Sequence, residues 1–175
     1  MSTYTNILNN MAKAPFRNAA QPAFMVTLNT SIANATGDGT LYNILFDTII
    51  LDSSNSVTLN SGGSTRFTVP VSGNYVLATQ VGVNNMVNAH NSFYSQIELH
   101  GTSGQYNNHC NPYVCQDLFF RICTLSAWIV VPLTAGNYVI AQAYVATGTK
   151  TISIAGTDTS SNGRPSTWFA GYLIG

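Results

Sequence analysis

The sequence predicts an all-β jelly-roll sandwich of about eight to ten antiparallel strands with a short N-terminal arm, and three observations predict it. From residue 22 onward, apolar side chains recur with a period of two. Turn clusters rich in Gly, Asn, Ser and Asp interrupt them about every 8–12 residues. After residue 22 no stretch holds a 3.6-residue repeat long enough for a helix. These readings divide the chain into an arm over 1–21 and one β domain over 22–175.

Taken in order, residues 1–21 are Asn-rich and broken by Pro15. Ile7, Leu8, Met11 and Phe16 are too few for a core of their own, so the segment reads as an arm that orders against another surface. Phe24, Val26 and Leu28 then alternate with polar neighbours, and Gly37-Asp38-Gly39 marks a turn. Tyr42 to Leu51 reads as one strand with two apolar faces, Ile44, Phe46 and Ile50 against Leu45, Ile49 and Leu51. Asp52 to Ser56 and Asn60 to Ser64 are polar turns. Phe67, Val69 and Val71 point one way, and Pro70 marks a strand end. Tyr75, Leu77, Thr79, Val81 and Val83 form a long alternating strand, and Phe93, Ser95, Ile97 and Leu99 the next. His100 to Tyr113 reads as a polar loop. Phe119 to Val131 is again apolar on both faces, with Phe120, Ile122, Trp128 and Val130 opposite Cys123, Leu125, Ala127, Ile129 and Val131. Tyr138 to Val145, Lys150 to Ile154 and Thr167 to Ile174 complete the strands.

Each sheet of a two-layer sandwich has one wet face, so its strands should alternate cleanly. Strands apolar on both faces call for a second cover, and another subunit is the natural one. Composition points the same way. The 175 residues are 45% hydrophobic but only 7% charged, against roughly 25% in ordinary soluble domains. A surface this short of charge offers little colloidal repulsion and suits a copy whose faces are covered by neighbours.

The same numbers argue against a nucleic-acid partner, which calls for clustered Lys and Arg. Lys13 and Arg17 lie close together, while Arg66, Arg121, Lys150 and Arg164 are scattered. No apolar run approaches the ~20 residues of a membrane helix, so no membrane partner is expected. Residues 1–6 carry neither a basic cluster nor an apolar run, which reads as no signal peptide and synthesis in a cytoplasm.

No catalytic, cofactor or metal site is expected. His109, Cys110 and Cys115 share one loop, but structural zinc wants a second closely spaced pair. With Cys123 the cysteines number three, a poor disulfide framework, and both thiols and a Cys110–Cys115 bridge stay open. Glu98 is the only glutamate, and Asp47, Asp52 and Asp117 lie on separate segments, which gives no carboxylate pair. There is no Gly-x-Ser-x-Gly elbow and no Gly-rich phosphate loop with a lysine, so the chain is not read as an enzyme.

Four motifs in order carry a resemblance. Pro22-Ala23-Phe24 opens a first strand, and the stretch from Phe67 to Tyr75 reads as Phe-x-x-Pro-x-x-Gly-x-Tyr. Leu133-Thr134-Ala135-Gly136-Asn137-Tyr138-Val139 resembles a Leu-x-x-Gly-Asp-x-Val turn. Ser166 to Leu173 resembles a closing Ser-x-Phe-x-Gly-x-Leu strand. Together they resemble the tumour-necrosis-factor and complement globular-head superfamily of jelly rolls over residues 22–175. The resemblance implies a ten-strand jelly roll packed as a homotrimer, with Phe67, Tyr75, Phe169, Tyr172 and Leu173 at the packing positions. Asn137 stands where the family has an acidic residue, which weakens any calcium site at that turn. No collagen-like stalk or membrane anchor is visible, unlike complement proteins and membrane-processed cytokines.

By analogy of fold and construction, such a chain looks like a bacteriophage virion protein. The expectation is a homotrimeric capsid decoration, or cement, protein on the capsid surface. Its partners are itself and the major capsid protein, the latter engaged through Tyr4, Ile7, Leu8, Phe16 and Arg17 of the arm. The alternative is a receptor- or glycan-binding jelly-roll module of a tail fibre, using the loops at 84–92 and 100–117.

Overall fold

A computed structural model describes residues 21–101, 104–112, 122–158 and 163–174. Fifteen β-strands run through them, beginning with β1 (Ala23–Thr27), β2 (Ile32–Thr36), β3 (Leu41–Asn43), β4 (Thr48–Asp52) and β5 (Val57–Thr58). Next come β6 (Arg66–Thr68), β7 (Gly73–Asn84), β8 (Ser92–His100), β9 (Gly104–Cys110) and β10 (Ile122–Leu133). The last five are β11 (Tyr138–Ala146), β12 (Ile152–Ile154), β13 (Thr157–Asp158), β14 (Arg164–Pro165) and β15 (Trp168–Ile174). The number exceeds the expected eight to ten because several of these are pieces of two or three residues at strand ends and turns.

Seven strands form sheet A in the order β2-β12-β7-β15-β1-β4, with β10 also paired to β7. Six form sheet B in the order β5-β6-β11-β8-β9, with β3 also paired to β11. The two sheets stack as an antiparallel jelly-roll sandwich. β7 shows why the sequence folds this way. Tyr75, Leu77, Thr79, Val81 and Val83 are buried between the sheets, while Val76, Ala78 and Gln80 point out, the period of two read from the sequence.

The core is built on aromatic rings from both layers. Phe24 of β1 stacks on Phe67 of β6 at 4.2 Å and meets Phe169 of β15 edge-on at 4.9 Å. Tyr75 lies beside Phe67 and donates its hydroxyl to the Val71 carbonyl at 2.7 Å. The recognised motifs meet here. Gly136 N–H donates to the Val69 carbonyl at 2.9 Å, and Val69 N–H donates to the Asn137 carbonyl at 2.8 Å. Gly136 has φ +89°, a left-handed turn conformation that glycine adopts without strain. Gly171 is required for a different reason. A Cβ there would sit 2.7 Å from Leu77 and 2.8 Å from Phe24, so only a hydrogen leaves room for the ring.

Two sequence expectations need correction. Tyr42 to Leu51 is not one strand but two, β3 in sheet B and β4 in sheet A. Between them the chain crosses from one layer to the other. Ile44 N–H donates to Ala141 of sheet B, and Asp47 N–H donates to Thr27 of sheet A. Ile44 and Phe46 are buried in the crossing, so its apolar run is core. Likewise 104–110 is a strand, not loop. Its side chains are polar because β9 is the edge of sheet B and is largely exposed.

Asp47 fixes the crossing by accepting N–H bonds from Asn29 and Thr30, each at 2.8 Å. Partial burial pushes its carboxyl up, but those N–H groups and the Thr48 hydroxyl outweigh this and hold it below the ordinary carboxylate range. Such a carboxylate stabilises the fold above its unfolded pKa, and the contribution disappears as pH falls through the lower folded value. Asp47→Asn should therefore melt lower than the parent at neutral pH, and the gap should begin to close below about pH 4 in thermal melts.

Candidate self-association face

The outer face of sheet A carries side chains that no second layer covers among the described residues. Register places Val130, Val76, Tyr172 and Ala23 side by side across β10, β7, β15 and β1. One step along, Trp128, Ala78, Ala170, Met25 and Leu51 line up across the same strands and onto β4. None carries a charge, and the Tyr172 hydroxyl and the Trp128 indole N–H are the only polar side-chain groups in the two rows. Trp128 is 74% exposed, Val130 50%, Tyr172 49% and Leu51 47%. A break in register between Met25 and Val26 leaves Ile50 without a partner on β1, and Ile49, Ile50 and Leu51 are all exposed as a result. Ser126 and Gln80 border the face on one side.

The face continues around an edge. β10 lies along one edge of β7 for its whole length, while β15 and β12 share the other. The far edge of β10 carries no strand among the described residues. It is tied to β9 by the Asn108 side chain, whose Nδ2 donates to the Ser126 carbonyl at 2.9 Å. A cleft of about 530 Å³ opens there between Tyr106 and Trp128. One copy thus presents two different surfaces, an apolar sheet face and a mainly polar sandwich edge, with Trp128 belonging to both.

The five packing residues implied by the resemblance separate sharply. Tyr172 lies on the open face. Phe67, Tyr75 and Phe169 are buried inside the single copy and have no surface to offer a neighbour, which corrects their assignment. Leu173 also points inward and packs on the core, because alternation puts it on the opposite side from Tyr172. The residues that do line the face, Trp128 and Val130 above all, sit on the strand read as apolar on both sides. That doubling was the signal. The arm residues Tyr4, Ile7, Leu8, Phe16 and Arg17 lie outside the described residues.

The remaining chemical groups are engaged in structure. His90 is buried and accepts the Val87 N–H at Nδ1, 3.0 Å away. His109 stacks on Tyr94 at 4.4 Å, and His100 stacks on Tyr138 at 4.2 Å and lies 3.4 Å from Glu98. Cys110 and Cys123 are half-buried against the core, while Cys115 lies outside the described residues. Among the described residues, no three of His, Cys, Asp and Glu gather into a group able to hold a metal ion.

Solved structures share this architecture. The globular domain of zebrafish complement 1qA protein superposes with a TM-score of 0.56 at 15% identity, covering 89% of this chain and 98% of that one. Murine APRIL at pH 5.0 superposes with a TM-score of 0.53 at 9% identity, covering 89% of this chain and 100% of that one. No family model matches the sequence, and no curated protein matches it. At these identities the likeness is one of fold, and the fold is the jelly roll of the tumour-necrosis-factor and complement-1q kind.

Proposed function

We propose that this chain works by assembling with copies of itself into a homotrimer, and that the trimer decorates a bacteriophage capsid as a cement protein. The observation that carries the reading is the bare apolar face of sheet A, centred on Trp128 and Tyr172. A face meeting its own copy gives a two-fold dimer, whereas a face meeting an edge is a head-to-tail contact, which forms a ring when its rotation closes. The β9–β10 edge, polar apart from Tyr106 and Trp128, supplies that second surface, and the motif resemblance sets the ring at three. A standard interface of about 800 Å² per partner, at ~25 cal/mol/Å², gives a gross gain large enough to exceed the association entropy. Function then comes from burial, without chemistry.

The low charge of the chain and its arm support the virion location. Pro22 sits beside β15, where its carbonyl accepts the Leu173 N–H at 2.9 Å, so the arm departs next to the proposed trimer face. In this reading Tyr4, Ile7, Leu8, Phe16 and Arg17 reach the major capsid protein. Many copies per particle add avidity. Deleting residues 1–20 should leave a folded trimer that no longer sediments with purified particles. Full occupancy by the truncated protein removes the arm from the account.

A further inference from the structure

The outer face of sheet B is built differently from that of sheet A. Four strands place His109, Tyr94, Tyr144 and Leu41 in one row across β9, β8, β11 and β3. The adjacent row is Asn107, Gln96, Gln142 and Asn43, an unbroken line of primary amides. The rings brace one another. Tyr94 stacks on His109 at 4.4 Å and meets Tyr144 edge-on at 5.2 Å. The amides are fixed as well. Gln96 Nε2 donates to Gln142 Oε1 at 2.6 Å, and Gln142 Nε2 donates to Asn43 Oδ1 at 2.8 Å. Gln96 and Gln142 are both buried although they belong to the outer face. Between the rows lies a cavity of about 370 Å³ lined by Leu41, Tyr94, Gln96, Asn107 and Tyr144.

From this arrangement we infer that the cavity binds a neutral hexose or N-acetylhexosamine unit of a glycan. A sugar ring has an apolar C–H surface and a rim of hydroxyls, each able to donate and to accept. Leu41 and the tyrosine rings match the first, and a primary amide, which also donates and accepts, matches the second. Gln96 spends its Nε2 hydrogen bond on Gln142, and that bond does not use its Oε1, an acceptor for a sugar hydroxyl. The ligand is neutral because neither row holds a Lys, Arg, Asp or Glu. A phosphate-bearing ligand needs clustered cations, and the rows hold none. Because the Gln96–Gln142–Asn43 relay is already in place, little ordering remains to oppose binding. The site lies on a sheet face, whereas the loop at 84–92 buries His90. It does not rest on the proposed trimer, although Asn107 also lines the β9–β10 cleft.

The test is an array of neutral and sialylated oligosaccharides, followed by NMR titration of the full chain with lactose and with N,N′-diacetylchitobiose. The expected result is binding of neutral glycans with a Kd of about 1 mM or tighter, and shifts gathered at Tyr94, Gln96, Asn107 and Tyr144. Asn107→Ala, on an exposed edge strand, and Tyr144→Ala should each weaken it about tenfold, with circular dichroism unchanged. Asn107→Ala decides the matter if Tyr144→Ala fails to fold. Blank neutral spots with no shifts from either sugar, binding of sialylated glycans alone, or shifts on another surface each overturn the assignment. Sedimentation of the same samples reports on the trimer separately.

Discussion

Trp128→Glu should convert the proposed trimer into a monomer without disturbing the fold. In sedimentation equilibrium the parent should weigh three times the 18.7 kDa of one chain, and the variant one. The indole is 74% exposed in the single copy and stands on the edge strand of sheet A, so a single copy loses little when it is replaced. In the proposed trimer the same ring would join the sheet face to the β9–β10 edge. A central tryptophan of this kind is the usual hot spot, worth about 2–4 kcal/mol on truncation alone. An uncompensated carboxylate in its place adds the cost of burying a charge. The combined loss is more than a hundredfold in association, since ~2.8 kcal/mol already gives that factor. Melting temperature supplies a second readout. Association stabilises the folded state by mass action, so the parent should melt higher as concentration rises and the variant should not. A variant that sediments with the parent, or a parent that stays monomeric at millimolar concentration, removes the face from the account.

Much of this was legible in the sequence because alternation is a local signal. Tyr75, Leu77, Thr79, Val81 and Val83 of β7 and Phe93, Ser95, Ile97 and Leu99 of β8 are buried at alternate positions, the period of two that the sequence shows. The apolar face was legible as a contradiction: β10 has apolar residues at consecutive positions, which a lone sandwich does not need. Three things were not legible. The crossing at Ile44 to Asp47 reads as strand because a buried connection needs the same apolar side chains. β9 reads as loop because an exposed edge strand needs none. The motif aromatics were assigned to the interface because spacing tells which residues pack, but not whether the partner is the other sheet or another copy. Phe67, Tyr75 and Phe169 pack on one another, and only burial in three dimensions separates them from Tyr172. The paired rows on sheet B were hidden for a related reason, since they bring together residues from 41 to 144 that only strand register aligns.

That division between core and face has a large expected consequence of its own. Phe67→Ala should lower stability by about 3–5 kcal/mol while leaving the tendency to associate intact in whatever fraction stays folded. The ring comes from sheet B and lies at 4.2 Å, nearly parallel, on Phe24 of sheet A. Tyr75 flanks it at 5.9 Å and is itself pinned through its hydroxyl to Val71, so the neighbours cannot collapse freely into the space. A cavity that its walls cannot fill loses both the transfer energy of the ring and the dispersion contacts around it. For a chain of 175 residues, each kcal/mol moves the midpoint by about 2–4 °C, so a drop on the order of 10 °C is expected. Tyr172→Ala gives the opposite pattern: the half-exposed side chain contributes little to one copy, and its loss should weaken association with the monomer's melt nearly unchanged. If Phe67→Ala instead melts with the parent but dissociates the trimer, the resemblance placed that ring correctly, and the separation of core from interface drawn from burial fails.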